Sequence, residues 1–225
     1  MKKVHIVGKS PEKVEEMKDH LIKRGYELVE ENPDIVISYG GDGMFLIAER
    51  IFPGIPKILI KDSEIGNMAH NDINIVLDSY EKGDYNIQKI KKLKAIRKGR
   101  FEFRELIGVN DIVLRNSLPT EAIRFKTRIN EKEWSKTLIG DGLVISTPYG
   151  SNKGAYFFSI TRQSFDKGIG MAYNNTTEKQ EPLFLSKKDE IEIRITRGQG
   201  VMVADNNRDY INLETGDKIK IFLIN

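Results

Sequence analysis

Apolar residues in the first part of the chain fall into short runs, and each run has the length of a β-strand. The runs are residues 4–8, 26–29, 34–38, 57–60 and 73–77. Between the first two, Ser10 and Pro11 are typical of a helix start, and apolar residues then recur at helical spacing up to Gly25. A second helix is predicted from Met44 onwards. Strands that alternate with helices predict an α/β domain with a mostly parallel sheet.

The pattern changes after about residue 90, where strand-like segments follow one another with little helical spacing between them. Further strands are predicted at residues 101–103, 111–114, 122–129, 143–146, 190–195, 201–204 and 218–223. One helix is predicted near residues 155–162, and residues 201–211 have the pattern of a hairpin with asparagines in its turn. We therefore predict an α/β domain at residues 1–95 and a β-rich, sandwich-like domain at residues 96–225.

The amino-acid composition excludes several functional classes of protein. The two signs of charge nearly balance at a net +3, which argues against a nucleic-acid partner. The basic run at residues 89–100 favours a solvated strand or helix face, because no aromatic residues interleave it. The absence of cysteine excludes disulfides, thiol catalysis and cysteine-ligated metals. No apolar run has membrane-spanning length and no signal-peptide pattern is present, so a cytoplasmic protein is expected.

The turn between the strand at residues 34–38 and the second helix carries the first candidate chemistry. Residues 40–43 are Gly-Gly-Asp-Gly. Glycines at such a turn let backbone N–H groups approach a phosphate, and the helix N-terminus favours its negative charge. Because Asp42 would repel that phosphate, it needs another role: it accepts a proton from an attacking hydroxyl, or it holds a divalent cation. An ordinary tight turn is the alternative interpretation.

Two segments of the β-rich part carry candidate binding residues. Residues 140–156 combine the carboxylate of Asp141 with a loop rich in Gly, Ser, Thr and Asn, whose many donors suit the ribose and phosphates of a nucleotide. In this loop Lys153 is suited to a phosphate, and Tyr156 to a base. Asn110 and Asp111 pair an amide with a carboxylate, which suits ribose hydroxyls. Each segment taken alone is also compatible with an ordinary surface loop or turn.

Taken together and in this order, the three segments resemble the NAD kinase family. Members combine an N-terminal α/β domain that carries Gly-Gly-Asp-Gly with a C-terminal β-rich domain. Residues 141–148, Asp-Gly-Leu-Val-Ile-Ser-Thr-Pro, are the most specific part of the resemblance. The resemblance implies ATP-dependent phosphorylation of the 2′-hydroxyl of the adenosine ribose of NAD, which gives NADP. It also implies Mg²⁺ or another divalent cation, and a homodimer or homotetramer.

The resemblance assigns roles to particular residues. Asp42 corresponds to the proton acceptor for the 2′-hydroxyl, and Gly41 and Gly43 line its site. Asn110 corresponds to the asparagine of a family Asn-Glu pair. Asp141 corresponds to an aspartate that contacts the nicotinamide end, often across a subunit interface. The other residues predicted to bind the nucleotide are Asp111, Thr147, Lys153, Gly154, Ala155, Tyr156 and Ser159.

Several positions depart from the family pattern. Asp111 stands where a glutamate is usual, Tyr149 replaces the second threonine of Thr-Pro-Thr-Gly, and residues 152–153 form an insertion before Gly154. These departures keep two alternatives open: a kinase of the same superfamily that acts on a lipid or another small hydroxyl compound, and a non-catalytic NAD-binding regulatory protein. The donor is left open between ATP and polyphosphate, and the acceptor between NAD and NADH.

Overall fold

Two units, Met1–Gln88 and Lys89–Asn225, make up the chain. The computed structural model describes residues 2–61, 72–99, 102–152 and 155–224. The division between the units falls earlier than the boundary expected near residue 95, because that residue belongs to a strand of the second unit that begins at Lys92. Each unit has its own core, and the two are described separately below.

The N-terminal unit is built on a four-stranded parallel sheet. Its elements are β1 (Lys3–Gly8), α1 (Pro11–Lys23), β2 (Glu27–Leu28), β3 (Ile35–Tyr39), α2 (Asp42–Ile51), β4 (Lys57–Ile60) and α3 (Ile73–Lys82). The strands lie in the order β2-β1-β3-β4, and each neighbouring pair is parallel. Ser10 is the N-cap of α1 and Pro11 its first residue, as predicted. The α/β character predicted for this domain is confirmed.

Helices pack on both faces of this sheet, because alternate residues of a strand point to opposite sides. One face packs against α1 and α3, and its buried cluster includes Val4, Met17, Leu21, Ile35, Ile37 and Leu77. The other face packs against α2, and its buried cluster consists of Val7, Val36 and Ala48. Burial on both sides explains why the strand at residues 35–39 is an unbroken apolar or small run.

The strand predicted at residues 73–77 is wrong, because this segment begins α3. The Asp72 carboxylate accepts a hydrogen bond from the backbone N–H of Asn74 at 2.9 Å and caps the helix. Gly83 ends the helix with a φ of 75°, a conformation that favours glycine. Leu77 is fully buried, so the apolar residues form a helical face rather than one side of a strand.

The C-terminal unit consists of two antiparallel sheets of six strands each. Its strands are β5 (Lys92–Lys98), β6 (Phe103–Gly108), β7 (Asp111–Asn116), β8 (Ile123–Ile129), β9 (Leu138–Gly140), β10 (Gly142–Ser146), β11 (Ile169–Asn174), β12 (Leu183–Leu185), β13 (Ile191–Arg197), β14 (Gly200–Ala204), β15 (Ile211–Leu213) and β16 (Lys218–Ile224). One sheet has the order β6-β5-β16-β13-β8-β9, and the other has the order β12-β11-β10-β7-β14-β15. The only helix of this unit among the described residues is α4 (Tyr156–Thr161), apart from a 3-10 turn at Tyr149–Ser151.

The two sheets pack face to face around one core, which confirms the predicted sandwich-like domain. The shared cluster includes Leu93, Phe125, Ile193 and Ile221 from one sheet and Ile112, Leu143, Met171 and Met202 from the other. On the outer face of the second sheet, Phe157 of α4 is fully buried and packs against Val113, Val144 and Ala172. Strand β10 is therefore buried on both sides.

The basic run at residues 89–100 contains the whole of β5. Leu93 and Ala95 are fully buried, whereas Lys94 forms an ion pair with Glu105 of β6 at 2.7 Å. Over Lys92–Ala95, basic and buried apolar residues thus alternate between the outer face and the core, as a strand requires. The strand predicted at residues 101–103 is observed from Phe103 onwards, and residue 101 lies outside the described part. Among the described residues, every helix is too short or too polar to cross a membrane.

Candidate functional site

The Gly-Gly-Asp-Gly turn lies at the carboxyl end of β3, one of the two central strands of the parallel sheet. Gly40 has a φ of 150° and donates its N–H to the carbonyl of Ile60 at 2.8 Å. Gly41 is the N-cap of α2, which places Asp42 in the first turn of that helix. A Cβ at Gly40 would lie 2.6 Å from the Cγ of Met44, so the turn has room only for glycine there.

This turn also lies at a topological switch point. The chain leaves β1 towards β2 on one side, and β3 lies on the other side of β1. In open α/β sheets, ligands bind outside the carboxyl ends of strands where the strand order reverses in this way. The backbone N–H groups and positive end of α2 suit a phosphate. The position therefore supports a phosphate-binding role for the backbone of Gly41 and Gly43, with Asp42 beside it.

Asn110 lies in the turn between β6 and β7, Asp111 is the first residue of β7, and the carboxylate of Asp205, the residue after β14, holds both. Asp205 accepts hydrogen bonds from three consecutive backbone N–H groups, those of Val109 at 2.8 Å, Asn110 at 2.7 Å and Asp111 at 3.2 Å. The N–H of Asp205 donates to the carbonyl of Asp111 at 3.0 Å. The register explains this meeting, because Ala204, the last residue of β14, pairs with Ile112 and brings the residue that follows the strand beside Asp111.

The loop after β10 holds the same turn from its other side. Ser146 pairs with Asp111 across the two strands, and the N–H of Thr147 donates to the carbonyl of Asn110 at 2.9 Å. The Thr147 hydroxyl donates to the carbonyl of Val109 at 2.7 Å and accepts from the N–H of Gly150 at 3.0 Å. Since Thr147 has no exposed surface, its side chain shapes the loop from inside.

Gly150 allows this loop to lie directly on the Asn110 backbone. A Cβ at this position would come within 2.1 Å of the carbonyl oxygen of Asn110, far inside any normal contact. The Oδ1 atom of the Asn110 side chain is buried with no hydrogen-bond partner in the described part of the chain. A buried amide oxygen without a partner is costly unless a ligand supplies one.

Asp111 carries a carboxyl group in a poorly solvated position beside a second carboxylate. Its exposed fraction is 6%. Burial is the main cause that raises the pKa of Asp111 to about 7, and the nearby negative charge of Asp205 raises it further. Near neutral pH a substantial fraction of the group is therefore protonated, and it then donates one hydrogen bond and still accepts others. Such a group suits a sugar hydroxyl, which also donates and accepts.

The structure does not bring Asp141 together with this turn. Asp141 precedes β10 and Thr147 follows it, so the strand separates them by roughly 20 Å at about 3.3 Å per residue. The Asp141 carboxylate accepts a hydrogen bond from the side-chain amide of Asn175 at 3.1 Å. At the same end of the sheet, the amide of Asn174 donates to the hydroxyl of Tyr156 at 3.2 Å.

The predicted residues of α4 lie on and beside a short, well-anchored helix. Ala155 is its N-cap and Tyr156 its first residue, and the Ser159 hydroxyl donates to the carbonyl of Tyr156 at 2.7 Å. Phe157 fixes the helix through edge-on contacts with Phe165 and Phe184. The predicted residues Lys153 and Gly154 lie outside the described residues.

Sequence reasoning did not select Asp205 as part of the site. The sequence pattern places Asp205 in the predicted hairpin. The antiparallel pairing of β14 with β15 confirms that hairpin. The positive φ of that turn falls on Asp205 itself, at 51°, rather than on an asparagine. The signal that the sequence offered was an aspartate in the turn of this hairpin. The partners of its carboxylate lie almost a hundred residues earlier, which no local pattern indicates.

A resident metal centre is not preformed among the described residues, where no group of three or more His, Asp or Glu side chains could hold an ion. Mg²⁺ that accompanies nucleotide phosphates keeps several waters and needs only one or two protein carboxylates. The single carboxylate of Asp42, at the phosphate-binding turn, fits that mode of binding.

Comparisons with known proteins agree with this geometry. Residues 109–223 match the ATP-NAD kinase C-terminal domain family. The chain is 31% identical over 199 residues to an NAD kinase of Thermoanaerobacter sp. (strain X514), which covers 84% of this chain and 69% of that protein. It is 32% identical over 142 residues to an NAD kinase of Saccharolobus solfataricus, which covers 62% of this chain and 53% of that protein. The matching segments thus span between about half and two thirds of these relatives.

Solved structures show the same fold. The crystal structure of yeast NADH kinase complexed with NADH has a TM-score of 0.88 and 17% identity, and the match covers 99% of this chain and 78% of that one. The structure of an NAD kinase from Archaeoglobus fulgidus in complex with ATP has a TM-score of 0.79 and 18% identity, with coverage of 99% and 90%. The family match across the C-terminal unit and the identity along most of the chain lead to one conclusion. This protein belongs to the NAD kinase family, phosphotransferases whose acceptor is an alcohol group.

Proposed function

We propose that this protein is an NAD kinase, which transfers the terminal phosphoryl group of ATP to the 2′-hydroxyl of the adenosine ribose of NAD and releases NADP and ADP. The observation that carries the proposal is the Asn110–Asp111 turn, held between the ends of β10 and β14. It combines a buried amide oxygen that has no hydrogen-bond partner among the described residues with a carboxyl group of raised pKa. Both groups suit ribose hydroxyls, in a chain that belongs to a family of nucleotide-phosphorylating enzymes.

Asp42 is the proposed proton acceptor. In phosphoryl transfer the protein contributes mainly orientation and neutralisation of charge, and little covalent chemistry. Asp42 would orient the 2′-hydroxyl and take its proton as the oxygen attacks phosphorus. The N–H groups of Gly41 and Gly43, at the start of α2, would hold phosphate oxygens. Mg²⁺ bound with ATP would neutralise part of the phosphate charge, with Asp42 as its closest candidate ligand from the protein.

The C-terminal unit is proposed to bind NAD. Asn110 and Asp111 would bond ribose hydroxyls, while the first turn of α4, with Ala155, Tyr156 and Ser159, would surround adenine and ribose. Lys153 and Gly154 keep their predicted role in binding the nucleotide as part of the same proposal.

Asp141 is proposed to contact the nicotinamide end of NAD bound mainly by a neighbouring subunit. Its position at the far end of β10 from the Asn110–Asp111 turn supports this assignment. The active protein would then be a homodimer or homotetramer, because closed assemblies let each copy contribute the same residue to another copy's site.

A product assay across several acceptors tests the proposal. The protein is incubated with ATP and Mg²⁺ and, separately, with NAD, NADH, a sphingoid base or a simple sugar, and phosphorylated product is measured. We expect NADP or NADPH from the dinucleotides and no product from the others. Product from the lipid or sugar alone would move the assignment to a different acceptor. NAD binding without any product would identify a nucleotide-binding protein that does not catalyse the transfer.

A further inference from the structure

Three adjacent backbone N–H groups converge on one side chain at the Asn110–Asp111 turn. Oδ2 of Asp205 accepts from Val109, and Oδ1 accepts from both Asn110 and Asp111, all within 2.7–3.2 Å. Hydrogen bonds to an ionised acceptor are about twice as strong as neutral ones. The three N–H groups belong to the residues that lead into β7 and carry the two proposed ribose-binding side chains. Asp205 therefore acts on those side chains through the main chain.

The carbonyl groups of the same turn are held from the opposite strand. The carbonyl of Asn110 accepts from the N–H of Thr147, and the carbonyl of Val109 accepts from its hydroxyl. Any residue except proline would supply the N–H of Thr147, and only the bond to the carbonyl of Val109 needs its hydroxyl, whereas all three acceptor contacts on the other side come from the carboxylate of Asp205. Removal of the Asp205 carboxylate would leave three N–H groups of the turn without their partner.

We propose that Asp205 is a positioning residue for nucleotide binding: its carboxylate fixes the backbone of residues 109–111 so that the side chains of Asn110 and Asp111 face the ribose, and its charge acts on Asp111. This inference rests on the proposed function for the identity of the ligand. The contacts themselves do not depend on it. Asp205 is not proposed to touch the substrate.

The substitution Asp205→Asn tests the proposal with almost no change in shape. Asparagine keeps one acceptor oxygen, but its NH₂ group would face the N–H of Val109, donor against donor, and the negative charge is lost. We expect the Kd for NAD to rise about 10- to 100-fold, the range for hydrogen bonds to a charged group. Asp209→Asn is the matched control, because Asp209 is an exposed aspartate in the same connection between β14 and β15. It should bind NAD like the wild type.

The titration of Asp111 provides a readout that a merely structural role would not move. Asp205, the residue after β14, supplies the charge that acts on this carboxyl group, while the residue paired with Asp111 across the sheet is Ser146 of β10, which does not titrate. Carboxyl ¹³C NMR of labelled aspartate, assigned with Asp111→Asn, should give a midpoint near pH 7 in the wild type. In Asp205→Asn the midpoint should move to lower pH, because a nearby negative charge is gone.

Wild-type protein provides a measurement that does not depend on whether the variant folds. Amide hydrogen exchange of Val109, Asn110 and Asp111 should be slow, although the first two lie in a turn between strands and the third begins β7. Exchange as fast as in an exposed loop, unchanged NAD affinity in folded Asp205→Asn, or an unmoved Asp111 midpoint would each overturn the proposal. If the wild type binds no NAD, the proposed function fails, while exchange and titration still decide whether Asp205 holds the turn.

Discussion

Asp111 shows how burial gives a single side chain a useful protonation state. In water an aspartate is ionised at neutral pH and only accepts hydrogen bonds. Here burial and the charge of Asp205 raise its pKa to about 7. The group then exists in both forms under ordinary conditions, so it can donate to one oxygen and accept from another. This property also makes the stability of the C-terminal unit depend on pH.

The pH dependence has a definite sign. The pKa of Asp111 is higher in the folded protein than in the unfolded chain, so folding favours the protonated form. Its favourable contribution is fully present below about pH 4 and is lost as the pH rises through about 7. We expect Asp111→Asn to remove this loss, which is on the order of 3–4 kcal/mol between pH 4 and pH 8. Urea unfolding, followed by the fluorescence of the single tryptophan, Trp134, measures the free energy at each pH.

The matched control for this experiment is Asp209→Asn, which changes an exposed aspartate of the same unit. It should keep the pH dependence of the wild type. Parallel curves for the wild type and Asp111→Asn would show that the carboxyl group of Asp111 titrates normally, and would remove the physical basis for its donor role.

Some residues of the candidate site could be predicted from the sequence, and others could not. Asp42, Asn110 and Asp111 belong to short motifs whose residue types already indicate phosphate or ribose chemistry, and the structure places each at a turn that follows or joins strands. Asp205 could not be selected in this way, because its partners are N–H groups of residues 109–111 and backbone groups leave no trace in side-chain patterns. Only the register of β14 against β7 brings them together.

At the scale of elements, a short apolar run is compatible with either a strand or a helix, and capping residues at its ends distinguish the two. The run at residues 73–77 is rich in β-branched residues, which favour a strand. Asp72 before it and Gly83 after it instead define a helix of ten residues with Leu77 buried. Residues 92–98 show the converse case, since their many lysines conceal an alternation of buried and outward positions that makes β5. In both segments, burial of apolar side chains in the core determines whether a helix or a strand forms.

The cap of α3 can be tested against the cap of α1. The Asp72 carboxylate accepts N–H bonds from Asn74 and Ile75, whereas the Ser10 side chain makes no capping hydrogen bond. Asp72→Ala should therefore lower the free energy of unfolding of the N-terminal unit by about 1 kcal/mol. Ser10→Ala should lower it by only a few tenths. Far-ultraviolet circular dichroism during urea unfolding measures both, and equal losses would contradict the assigned role of Asp72.

At the scale of the whole molecule, each unit contributes residues to the proposed reaction. Asp42 comes from the parallel sheet unit, and Asn110, Asp111 and Asp141 come from the sandwich unit. Asn110, Asp111 and Thr147 lie at one end of β7 and β10, while Asp141 lies at the other end. An assembly of identical copies would give Asp141 a site to act on.

Mixing of variants tests whether Asp141 acts between subunits. Asp42→Asn and Asp141→Asn should each be nearly inactive alone. If each site takes Asp42 from one copy and Asp141 from another, mixed dimers contain one intact site. Co-expression should then restore up to roughly a quarter of wild-type NADP formation, as random pairing of two copies implies. Activity no greater than the sum of the separate variants would place both residues in the same copy's site.

The most direct measurement is the rate of NADP formation from NAD, ATP and Mg²⁺ by the wild type and by Asp42→Asn. Loss of a general base typically costs ~10²–10⁴-fold in rate, and we expect a loss in this range with NAD affinity nearly unchanged. Asp34→Asn, an exposed aspartate just before β3, is the control and should retain full activity. An Asp42→Asn enzyme as active as the wild type, or a folded wild type that makes no NADP, would contradict the proposed reaction.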